Sequence, residues 1–151
     1  MTMTKEQVQD LAAQIVGAKM RRMTYELGGF LLEAFENDVH KVAGYANFTD
    51  WYINELNELS CPRTLWDTLK VERVRRALNI PLSSLKNIDV SKAKKIAQLC
   101  DPDGRVKRGH DAMALVGLFD LARTATLEEI SSQVETMKAN RVVPRYVVPS
   151  R

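Results

Sequence analysis

The chain has 151 residues, 45% apolar and 27% charged, with a net charge of +3 and two cysteines. This is enough chain for one buried core, its balance is not that of a disordered segment, and no apolar run approaches the roughly 20 residues that span a bilayer. The polar start MTMTKEQVQD lacks the order of a secretion signal, and Cys61 and Cys100 form no CxxC or zinc set, so the expectation is a cytoplasmic protein with reduced, partly buried thiols.

Thr4-Lys5-Glu6-Gln7 has the form of a capping box and predicts the start of a long helix. Val8, Leu11, Ala12, Ile15, Met23, Leu27, Phe30 and Ala34 follow at steps of three and four, so one face of that helix is apolar for its whole length. The stripe is longer than one small domain needs to cover, which makes this helix a candidate dimer surface. Gly28-Gly29 marks a kink or a close helix crossing. The pair lacks the spacing of a phosphate-binding loop.

Residues 37–47 read as a connection, with Val39, Val42 and Tyr45 able to form a short helical turn. Asn47 or Thr49 caps a second helix whose apolar members are Phe48, Trp51, Tyr52, Ile53, Leu56 and Leu59. Pro62 starts the next helix, because it has no N–H to donate and holds Cys61 away from helical angles. Leu65, Trp66 and Leu69 form its inward face, and Asn79-Ile80-Pro81 ends it.

A short helix follows Pro81, and Asp89 or Ser91 caps another that carries Ala93, Ile96, Ala97 and Cys100 on one face. Asp101-Pro102-Asp103-Gly104 is a turn signal. The segment AMALVGLFDLA, Ala112 to Ala122, is apolar nearly all round and is placed at the centre of the fold. Thr126-Leu127-Glu128-Glu129 repeats the capping-box form and opens a last helix whose apolar face is Leu127, Ile130, Val134 and Met137. The tail RVVPRYVVPSR, whose prolines do not suit a helix, reads as an extended basic arm over 141–151. The fold class is therefore all-α: a compact domain of six or seven helices over 1–140, followed by the arm.

The charges are unevenly placed. Residues 1–60 carry 5 basic and 9 acidic side chains, residues 61–110 carry 12 and 5, and residues 111–151 carry 5 of each. A cationic middle third suits a polyanion, although the same charges also serve an ordinary solvated surface. FTDWYINELNELSCPRTLWDTL resembles the helix-turn-helix segments of small DNA-binding proteins of bacteria, phages and plasmids, over about 30 residues within 49–78. The resemblance implies a bracing helix before Ser60 and a reading helix after Pro62, with Arg63, Thr64 and Lys70 at the positions of DNA contact. Arg73, Arg75 and Arg76 further along that helix would grip the backbone, and Lys92, Lys94 and Lys95 extend the positive surface, as do Arg105, Lys107, Arg108 and the arm with Arg141, Arg145 and Arg151.

No nucleophile, base and stabiliser stand out as a catalytic set, and the histidines, His40 and His110, have no metal-ligand spacing with either cysteine. The expectation is a non-catalytic regulator of transcription, replication or partition, of phage or plasmid type. It would need no cofactor or metal and would bind double-stranded DNA as a homodimer. The alternative is an adaptor or inhibitor that docks on a larger protein without touching DNA.

Overall fold

A computed structural model describes residues 2–20, 24–56 and 62–140, apart from the side chains of Met20, Thr24, Pro62 and Arg63. Among these residues the fold is all-α, with nine helices: α1 (Lys5–Met20), α2 (Thr24–Glu36), α3 (Val39–Ala43), α4 (Phe48–Glu55), α5 (Pro62–Ala77), α6 (Leu82–Leu85), α7 (Val90–Ala97), α8 (Ala112–Leu121) and α9 (Leu127–Ala139). Backbone pairing of strand type is limited among them to one antiparallel bridge, Cys100 with Val106. The chain divides into two compact units, Met1–Glu72 and Arg73–Arg151, and the division falls within α5. The proposed turn at Ser60-Cys61 and the arm over 141–151 lie outside the described residues.

In the first unit the Thr4 box forms as its sequence predicts. The Thr4 N–H donates to Gln7 Oε1 at 2.8 Å, and the Gln7 N–H donates to Thr4 Oγ1 at 3.1 Å. The single long helix expected from this start is instead two helices, α1 and α2, which pack against one another. The reason is burial. Val8, Leu11, Ile15 and Ala18 of α1 and Leu27, Leu31, Leu32 and Ala34 of α2 all enter the core, whereas one continuous rod would leave much of that stripe in water. The apolar face that made this region a candidate dimer surface is thus covered within the unit. Gly28 serves the close approach anticipated for it: a Cβ there would stand 3.3 Å from Glu72 Cβ and 3.5 Å from Thr68 Cγ2, both on α5.

Asn47 caps α4, its side chain accepting from the Asp50 N–H at 2.8 Å, and Phe48, Trp51, Tyr52 and Leu56 are buried. Leu65 and Leu69 of α5 are fully buried in the same core, but Trp66 is 41% exposed. This corrects the inward placement of Trp66. Its ring lies at the margin, edge-on to Phe35 at 5.7 Å and tilted against Phe48 at 6.4 Å, so one side packs and the other meets solvent. Ile53, counted among the apolar members of α4, is likewise exposed.

The second unit begins with the last turns of α5. The Asn79 N–H donates to Arg76 O and the Ile80 N–H to Arg75 O, with Asn79 at φ 55°, the pattern in which a left-handed residue closes a helix. Asp89, Asp111 and Thr126 then cap α7, α8 and α9, and the Thr126–Glu129 capping box is complete. Helix α7 packs on both α8 and α9, with Ala93, Ile96, Leu115, Phe119, Ile130 and Val134 buried. Helix α8 does not have the central position expected of it. Leu115, Leu118 and Phe119 are inside, yet Met113 is 73% and Leu121 42% exposed, and Ala114 and Gly117 face out with them. Leu127 of α9 is also exposed. Apolar composition marked α8 as a helix, but its partners cover only one side.

Candidate nucleic-acid interface

The cations singled out in the sequence are put to several different uses. The Arg63 side chain lies outside the described residues. Thr64 and Lys70 are half-buried on α5, and the Thr64 carbonyl accepts from the Thr68 hydroxyl at 2.8 Å. Arg73 Nη1 donates to Pro102 O at 3.2 Å, and Arg75 Nη1 donates to Ile80 O at 2.9 Å, just past the end of its own helix. Lys92 Nζ donates to Ala122 O at 3.0 Å, placing an ammonium where the carbonyls of α8 run out and a positive charge is favoured. Lys95 Nζ meets Glu135 Oε1 at 3.3 Å. The Lys95 and Lys138 ammonium groups hold the Glu135 carboxyl below its usual value, the bond from Lys95 contributing most. Lys94 is half-buried and Arg76 is exposed. Arg73, Arg75, Lys92 and Lys95 therefore brace the second unit, whatever else they do.

A different group of cations faces water. The turn after α7 is built from local bonds: Asp101 N–H donates to Arg105 O at 2.8 Å, Gly104 N–H donates to Asp101 O at 2.9 Å, and Asp101 Oδ1 accepts from the N–H groups of Asp103 and Arg105, each at 3.0 Å. The Cys100–Val106 bridge and the Lys107 N–H bond to Leu99 O at 2.9 Å close its base. Gly104, at φ 88°, lies against the backbone of Arg73, whose guanidinium also donates to Pro102 O in the same turn. The turn is thereby fixed on the C-terminal part of α5, within one compact unit.

Its outer surface carries Arg105, Lys107 and Arg108, all exposed. Arg76, one helical turn beyond Arg73, is exposed on the adjoining helix. Arg105 and Lys107 form no ion pair or side-chain hydrogen bond among the described residues, and the acids on the turn are half-buried Asp101, occupied by backbone N–H groups, and exposed Asp103. Arg105 and Lys107 can meet phosphates of a polyanion without first giving up a protein partner, and the exposed Arg108 and Arg76 add to the positive potential beside them. In the sequence these residues belong to the positive surplus of 61–110, outside the segment that carries the helix-turn-helix resemblance. The usable signal was the DPDG turn with cations directly after it.

No group of three or more metal-ligating side chains occurs among the described residues, and no described helix is long and apolar enough to cross a membrane. No family model, curated protein or solved structure matches the chain.

Proposed function

We propose that the chain is a non-catalytic, regulatory DNA-binding protein that holds duplex DNA by its phosphates through the cationic turn and the adjoining end of α5. The observation that carries this reading is the fixed placement of the turn. Gly104 and Arg73 anchor it, so the exposed Arg105, Lys107 and Arg108 are presented on a set backbone rather than a wandering loop. Preset cations lose less freedom on binding than mobile ones. Contacts from the reading-helix positions Arg63, Thr64 and Lys70, and a homodimer that doubles the contact, belong to the same proposal. The deciding experiment titrates the full chain with a labelled duplex of random sequence at increasing salt. With about four phosphates engaged, affinity falls by roughly two orders of magnitude between 50 and 200 mM. No binding in dilute buffer rejects the reading.

A second reading, docking on another protein, is favoured by α8. Met113, Gly117 and Leu121 recur every four residues on its exposed side and form a narrow apolar strip that a partner would cover. Binding that is insensitive to salt and lost in Met113→Lys identifies that mode.

A further inference from the structure

The first unit contains a cleft of about 220 Å³ among α1, α3 and α4. Val8, Ala12, Val42, Ala43 and Trp51 supply apolar walls, and the charged groups on its lining are Lys5 and Glu55. The volume limits an occupant to a small molecule, on the order of ten non-hydrogen atoms. Glu55 is held in place, its Oε1 accepting from the Tyr45 hydroxyl at 2.5 Å. Lys5 and Glu55 line one cleft without pairing with each other or, among the described residues, with any other charge.

From this arrangement we infer that the cleft binds a small zwitterion with an apolar body, the class of the apolar α-amino acids. The body takes the walls of α1 and α3, the ammonium meets the Glu55 carboxylate, and the carboxylate meets Lys5. Charge complementarity selects this class. Lys5 and Glu55 are both exposed, so either keeps its water when unpaired; a ligand with one charge gains one charge-assisted contact, whereas a zwitterion gains both. The anchored carboxylate adds direction, since Tyr45 restricts where its free lone pairs point. The inference is independent of DNA binding, because every residue it uses lies in the first unit.

The test uses the isotopically labelled full chain, titrated in separate NMR experiments with L-leucine, isoamylamine and 4-methylpentanoate, which share a branched aliphatic body and differ in charge. L-Leucine is expected to shift the Val8, Ala12, Val42 and Ala43 amides saturably, with either single-charge probe about two- to fivefold weaker, the worth of one exposed ion pair. In Glu55→Gln the advantage of leucine over the acid should vanish, and in Lys5→Met its advantage over the amine. Ala12→Leu fills the cleft and should abolish all shifts; the two charge variants carry the test alone if that protein does not fold. Absence of saturable shifts with leucine, equal binding of a single-charge probe, or undiminished leucine binding in Glu55→Gln would each overturn the assignment.

Discussion

A Cβ placed on Gly104 would lie 2.5 Å from the carbonyl carbon of Arg73 and 2.7 Å from its Cβ. Real Cβ atoms do not come that close, so the turn rests on α5 only because residue 104 has no side chain. Gly104 also needs φ 88°, a region costly for other residues. Gly104→Ala is expected to cost about 1–3 kcal/mol from the backbone alone, and more from the displaced contact. Gly44→Ala is the control: it shares the positive φ, at 87°, but has nothing within 4 Å. Thermal melts of the two variants separate strain from contact, and equal losses would show that the Arg73 contact carries no weight.

Exposed and bonded arginines should behave differently. Replacing both Arg105 and Lys107 with Ala is expected to leave the melt nearly unchanged, weaken duplex binding, and lower the slope of log affinity against log salt by about two. Arg75→Ala removes the bond to Ile80 O, and is expected to destabilise the fold by about 1–2 kcal/mol while barely changing that slope. The reverse pattern would return DNA contact to α5 and remove it from the turn.

The tryptophans provide a test of the core. Trp51 is 1% exposed, and Trp51→Ala should cost about 3–5 kcal/mol. Trp66, 41% exposed, should cost less than half as much, chiefly its contacts with Phe35 and Phe48. Denaturant unfolding of the single variants measures both, and equal losses would place Trp66 back in the interior.

Glu135 gives the second unit a sensitivity to acid. Its folded-state value is depressed, first by the bond from Lys95, so the stability it contributes is present above the unfolded value of about 4.5 and is lost as pH falls through the lower folded value. Glu135→Gln should therefore be the less stable protein near neutrality and converge with the wild type as pH falls below about 4.5, so that its pH dependence there is flatter. Melts between pH 3 and 7 provide the comparison, and parallel curves would mean the pairing with Lys95 has no net effect.

Much of the architecture was legible because its signals are local. Thr4-Gln7 and Thr126-Glu129 specify helix starts through bonds spanning three residues, and Pro62, Asn79 and Asp101–Gly104 mark boundaries through backbone geometry that few other residues allow. The helix count rose from six or seven to nine among the described residues, because α3, five residues long, is too short for periodicity to define, and because the first long helix is two; α6 is the short helix expected after Pro81. Orientation was less legible. Trp66 and α8 look interior by composition, yet exposure depends on which distant elements arrive to cover them. The uses of the individual cations were illegible for a similar reason: a charge symbol does not reveal that Lys92 ends on the carbonyl of Ala122, thirty positions away.

Cys100 is completely buried and forms the bridge with Val106 at the base of the cationic turn. Its sulfur can meet a thiol reagent only when this part of the chain opens, so in a Cys61→Ser background the rate of alkylation becomes a clock for that opening. Because the reporter sits at the root of the turn, the clock should slow when a ligand clamps the turn in place and run freely when a ligand sits elsewhere. A native atom thus doubles as a locator of occupancy, with no label added to the protein's surface.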